Sequence, residues 1–211
     1  MIKKEVEKIL QYVQKPARYV GGELNSVIKD ANKVDIRYAF CFPDIYEIGM
    51  SHLGMKILYG LVNEREDAWC ERVFAPDIDM EEQMRKHNVP LFALESGDYI
   101  KDFDMIGFTL MYELCYTNVL NMLDLAGIPL FSKDRTELAP IICVGGPCAC
   151  NPEPIADFVD IVFLGDGEES TTAVIDLLKE CKKNGASKQE FLLKAKDIIG
   201  VYVPSFYKDS Y

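Results

Sequence analysis

Histidine is almost missing from this chain of 211 residues, which has only His52 and His87. Few imidazoles leave little material for a histidine-rich metal site or a serine–histidine nucleophile. Ser51 adjoins His52, but neighbours in sequence do not face each other on a helix, so no nucleophile–base pair is legible and a hydrolase is disfavoured. Long apolar runs are also absent. None approaches the ~20 residues that cross a bilayer, and the start, Met1-Ile2-Lys3-Lys4-Glu5, lacks the apolar stretch of a signal peptide. A cytoplasmic protein with no membrane partner is expected. Positive charge is in deficit, with 23 Lys+Arg against 34 Asp+Glu and a net charge of -11. Without a dense basic stripe, such a surface repels phosphate backbones and is not expected to bind nucleic acid. No internal repeat or low-complexity tract occurs.

Seven cysteines are present, an odd number without regular spacing, which argues against a disulfide framework. Cys143, Cys148 and Cys150 cluster, but their spacing matches no zinc knuckle and no histidine lies near, so no metal site is expected.

Hydrophobic residues make up 49% and charged residues 27%, an ordinary globular composition. Short apolar runs alternate with helical patterns, the signature of a parallel sheet with helices on both faces. Strands are expected at about 35–42, 68–74, 104–110, 140–144 and 160–163, and helices at about 51–64, from 79, at 115–126 and at 169–184. In the first of these helices Leu53, Ile57, Leu58 and Leu61 form an apolar face, and Asp79 with Glu82 has capping-box spacing at the start of the second. The fold class is therefore α/β: a Rossmann-like or flavodoxin-like sheet of five parallel strands in order 2-1-3-4-5, because right-handed crossovers leave few alternatives. Residues 1–30 form an N-terminal helix and extension, 31–186 the Rossmann-like domain, and 187–211 a further helix and linker. The tail, with Tyr202, Phe206, Tyr207 and Tyr211, reads as extended chain outside the sheet, left for another domain to cover.

Ligands of open parallel sheets bind at the carboxyl ends of the strands, so the loops there nominate the site. After the first strand come Tyr46, Glu47, Gly49, Ser51, His52 and Gly54, with the two glycines bracketing a tight helix entry and Ser51 placed as N-cap. Glu47 on this rim would oppose a phosphate, and no Gly-x-Gly-x-x-Gly follows the strand. His52 can be read as a metal ligand, or more plainly as a histidine bonded to a neighbour at a helix start. Thr109, Leu110 and Tyr112 follow the third strand. Gly145-Gly146-Pro147 follows the fourth, either to let a flat ligand approach or as a plain turn. Gly165-Asp166-Gly167-Glu168-Glu169 follows the fifth; the helix dipole explains the acids but not the two glycines.

Pro43-Asp44-Ile45-Tyr46-Glu47-Ile48-Gly49, Gly145-Gly146-Pro147, Asn151-Pro152-Glu153-Pro154 and Gly165-Asp166-Gly167-Glu168-Glu169 together resemble the N-terminal region of cobalamin-binding-domain radical SAM proteins. The resemblance runs from Arg18-Tyr19-Val20-Gly21-Gly22-Glu23-Leu24-Asn25 to Tyr202-Val203-Pro204. It implies a cobalamin-binding-like module followed in the same polypeptide by a radical SAM barrel, which carries a Cys-x-x-x-Cys-x-x-Cys triad for a [4Fe–4S] cluster and S-adenosylmethionine. No such triad exists in this chain, so the module itself is not expected to be catalytic. Cobalamin domains usually carry Asp-x-His-x-x-Gly after the first strand, and Asp44 lies too far upstream to complete that motif with His52 and Gly54. Thr109-Leu110-Met111 only approximates the usual Ser-x-Leu, whereas Gly145-Gly146 matches the usual glycine pair. Two readings follow: cobalamin bound base-off on the glycine rim, or a cobalamin-free domain that packs on the barrel and shapes substrate access.

Overall fold

Aromatic and β-branched residues favour extended backbone, and the two richest runs, Ile36–Phe42 (β1) and Ala68–Phe74 (β2), pair in parallel along their whole length. In the computed structural model, which describes residues 3–207, they join Met105–Thr109 (β3), Ile141–Gly145 (β4) and Ile161–Phe163 (β5) in the order β2-β1-β3-β4-β5. The parallel strands lie within one residue of their expected limits, because each is an apolar run closed by a glycine, a proline or a polar turn.

Side chains alternate across the sheet and feed two cores. One face carries Ala39, Cys41, Ile106, Phe108, Ile142 and Val144. It is covered by Lys4–Leu10 (α1), Ile78–His87 (α4) and Tyr116–Leu125 (α5). The other face carries Tyr38, Phe40, Phe42, Met105, Cys143 and Phe163 under Leu53–Asn63 (α3), Gly167–Asn184 (α6) and Lys188–Ala195 (α7).

Three local expectations are corrected. The helix expected at about 51–64 is α3, starting two residues later, and a short helix not expected from the sequence, Tyr46–Ser51 (α2), precedes it with His52 extended between them. Ser51 is not the N-cap; its hydroxyl donates to the Glu47 carbonyl at 2.8 Å, and the His52 ring caps α3. At α4 the cap is Asp77, while the Asp79 carboxylate accepts the Gln14 backbone N–H at 2.7 Å and so anchors the N-terminal segment.

The tail also differs from the expectation. Val201–Tyr202 (β6) adds an antiparallel sixth strand to β5, and Val203 beyond it is fully buried. Tyr202 donates to Glu153 at 2.8 Å, Phe206 packs on the second core, and Tyr207 is exposed; Tyr211 lies outside the described residues. A buried carboxylate anchors this end: Asp160 accepts from Ile142 N–H (2.7 Å), Arg135 (3.1 Å), Lys188 (2.7 Å) and the Ser132 hydroxyl. Breaking such a pair leaves a buried charge unpaired, so the cluster fixes where α7 sits.

Candidate functional site

A groove of about 310 Å³ opens at the carboxyl edge of the sheet and runs down between its second face and α3 and α6. Its volume falls in the range of small-ligand pockets, about 300–1,000 Å³. The floor is aromatic: Tyr38 and Phe40 stack at 5.6 Å, and Phe163 and Cys143 continue the surface. Gly107, in the middle of β3, keeps that floor flat, since a Cβ there would come within 2.2 Å of the Tyr38 hydroxyl.

The glycines of the rim have separate causes. Gly146 has φ +100, and an added Cβ would meet the Leu110 carbonyl and the Thr109 hydroxyl at 2.9 Å. That glycine serves the backbone turn. Gly145 has ordinary φ and stands beside Phe163 in the groove wall, so its missing side chain is groove space. Gly165 has φ +96, and Gly167 lets α6 approach Leu58, whose nearest methyl would lie 3.4 Å from an added Cβ.

Of the residues read from the sequence, His52, Gly54, Thr109, Gly145, Gly146, Pro147, Gly165, Asp166, Gly167 and Glu168 line this groove. The other six serve the frame. Tyr46 donates to Glu23 at 2.5 Å and packs edge-on against Phe74. Glu47 turns outward to Lys15 (3.0 Å) and Arg18 (2.9 Å), whose hydrogen bonds hold its carboxyl down at about 2. Gly49 makes room for Phe74 and Phe42, Ser51 bonds to Glu47, and Leu110 is fully buried in the first core. Tyr112 donates to Asp44 at 2.7 Å and ties the loops after β3 and β1 together. The acids on the groove are thus Asp166 and Glu168, and among the described residues no lysine or arginine lines it.

His52 Nδ1 accepts the Met55 backbone N–H at 3.1 Å, and the ring tilts against Phe42 at 5.3 Å. Burial pushes its pKa down, so the imidazole is neutral, and with Nδ1 accepting, the proton sits on Nε2. In that tautomer neither nitrogen has a lone pair for a metal. Tyr38, Phe40, Gly107, Cys143 and Phe163, which lie in runs that read as buried strands, also line the groove, as does Thr171 of α6, which no sequence pattern singles out. Gly107 was the available signal, since a glycine inside a strand marks a close approach. Ile57 and Leu58, read as core, line the groove as well, while Met55, Tyr59 and Val62 are the residues of α3 that are buried.

A family model described as radical SAM proteins, N-terminal, matches residues 54–204, well over half of the chain. The chain belongs to this family. The match begins at Gly54 and takes in the loops after β3, β4 and β5, so most of the groove of this radical SAM N-terminal domain lies within it. An uncharacterized protein of Methanocaldococcus jannaschii is 30% identical over 135 residues, which are 63% of this chain and 24% of that relative. The chain thus spans less than two thirds of the curated relative it matches. No solved structure matches it significantly.

Proposed function

We propose that this domain is the cobalamin-binding-like module of a radical SAM enzyme, seating a cobalamin without a protein imidazole on its cobalt. The observation that carries the reading is the aromatic-floored groove that descends from the glycine rim between the sheet and two helix N-termini, with its only charged lining among the described residues, Asp166 and Glu168, at the rim after β5. It suits the planar base and sugar of a nucleotide tail, and it is too small for a corrin macrocycle, which would lie outside on the rim. The Gly145 wall would flank the tail, and Thr109 and Thr171 would offer hydroxyls to it. His52 fits as a neutral Nε2–H donor and not as a lower ligand, so the fit is to base-off cobalamin alone. Bound there, cobalamin would supply methyl-carrier chemistry. The chain's own part is to hold it and exclude water from one face, while Asp166 and Glu168 on the groove disfavour a ligand held through its phosphate alone, such as FMN.

In this reading residues 31–186 are the module, α7 and β6 pack onto it from the 187–211 stretch, and that stretch leads on toward a barrel in the same polypeptide, where the [4Fe–4S] cluster and S-adenosylmethionine belong. A second reading, a cobalamin-free domain that packs on the barrel and shapes substrate access, is favoured by exposed apolar residues near the rim: Ile48, Leu53, Leu114 and Leu164.

Titration with hydroxocobalamin and methylcobalamin, followed by visible spectra of the bound pool, separates the two. Saturable binding at about micromolar affinity with a base-off spectrum, unchanged in His52→Asn and lost in a folded Gly145→Leu variant, supports the first. Absence of binding by the chain and by the full-length protein supports the second.

A further inference from the structure

The Arg18–Asn25 stretch has no part in the groove, yet residues 18–27 run across the opposite flank of α3 and close a second cavity of about 370 Å³. Backbone and side-chain bonds hold this strap in place: Val27 N–H donates to the Tyr59 oxygen at 2.7 Å, and Trp69 donates to the Val27 carbonyl at 2.9 Å. The cavity's walls are Val27, Met50, Met55 and Tyr59, and its polar end is Arg72. α3 is a shared wall, with Gly54, Ile57 and Leu58 toward the groove and Met55, Tyr59 and Gly60 toward this cavity.

Two features of this cavity bear on what it can hold. The first is Arg72, whose side chain is 7% exposed. Its Nε donates to Glu95 at 2.6 Å and its Nη2 to Ser26 at 2.9 Å, but Nη1 finds only the Met50 sulfur at 3.5 Å. The guanidinium also lies over the Tyr59 ring at 4.5 Å, but a thioether is a weak acceptor, so Nη1 is the donor here with the weakest hydrogen bond. The second is Gly60. A glycine within a helix costs helix propensity, and here neither a positive φ nor close packing requires it: a Cβ would meet nothing within 4 Å. Its effect is to leave the cavity wall open.

We infer that this cavity is a second binding site, for a small apolar molecule carrying one acceptor oxygen, a carboxylate or a carboxamide carbonyl. Glu95, fully buried behind Arg72, cancels the guanidinium charge, so what faces the cavity is a directed donor more than net charge. At the mouth Lys56 favours an anion, while Glu23, held by Tyr46, opposes one. The acceptor oxygen is therefore the recognised feature, and the apolar walls set the size of the rest. The inference is independent of what the groove binds.

Methyl-labelled methionine gives the test, because Met50 and Met55 line the cavity while Met80 and Met84 lie in the other core and serve as internal references. The chain is titrated with hexanoate, hexanamide and hexylammonium. The expected result is a saturable shift of the Met50 and Met55 signals with hexanoate and hexanamide at about millimolar affinity, and none with the donor-only hexylammonium. Gly60→Leu fills the cavity on a helix it should strengthen, so with Met80 and Met84 unmoved it should weaken both acceptors at least about tenfold. Equal response to hexylammonium, no saturable response to either acceptor, or unchanged binding in a folded Gly60→Leu would overturn the assignment.

Discussion

His52 shows how one side chain can be mistaken for a ligand. Its Nδ1 caps α3, and that bond needs the neutral ring. Burial lowers the folded pKa below the ordinary 6.5, so the unfolded chain binds this proton more readily. By linkage, stability falls as pH drops through 6.5 and levels off below the folded pKa. His52→Asn keeps a cap that does not titrate, so urea denaturation should lose this component of the pH dependence while stability at pH 8 is kept. His52→Ala should cost about 1 kcal/mol at pH 8 through the lost cap. Glycine sites divide in the same way: the sequence marks Gly145 and Gly146 alike, yet only the fold shows that one serves the turn and the other the groove.

Among the elements, β1 to β5 were legible because each is a short apolar run with its own stop signal. β6 was not, since a two-residue edge strand carries no periodicity of its own and exists only where β5 offers a free edge. The extra helix α2 was not legible because Tyr46–Ser51 is six residues, too short to show a helical period, and the apolar spacing of Leu53, Ile57 and Leu58 marks α3 without saying whether that face meets the core or a cavity. A chain truncated before Gly200 would lose the Leu164 N–H bond to the Gly200 carbonyl (2.7 Å) and the buried Val203. Hydrogen exchange should then show the Leu164 amide unprotected. Stability should fall by at least about 1.5–3 kcal/mol from the lost apolar burial, and the bared β5 edge should promote association.

At the scale of the molecule, thiol placement bears on cofactor chemistry. Cys41, Cys70, Cys115, Cys143 and Cys181 are buried, and only Cys148 and Cys150 reach the surface. Burial pushes the buried Cys41, Cys70 and Cys143 thiols up, away from the thiolate form. Among the described residues no three His, Cys, Asp or Glu side chains are grouped to hold a metal. A [4Fe–4S] cluster needs cysteine thiolates brought together, so anaerobic reconstitution of this chain with iron and sulfide should give no stoichiometric iron and no charge-transfer band near the visible. Retention of a full cluster would show that the thiols rearrange. Likewise, no helix among the described residues is long and apolar enough to cross a membrane.

By itself the sequence determined the α/β class, the five parallel strands and the loops that meet at the carboxyl edge. Those follow from local patterns: the period of apolar residues, the glycines and prolines that stop them, and the handedness of crossovers. Only the tertiary structure decided which rim residues face a ligand. Glu47, Tyr46 and Tyr112 turn away to partners 68 or fewer positions distant in the chain, such as Asp44 for Tyr112. Tyr38, Phe40 and Phe163 look like core in any strand pattern, and they become a floor because residues of α3 and the start of α6 line a groove with them. Where a side chain points depends on what the rest of the chain brings beside it, and that information is absent from any single stretch of sequence.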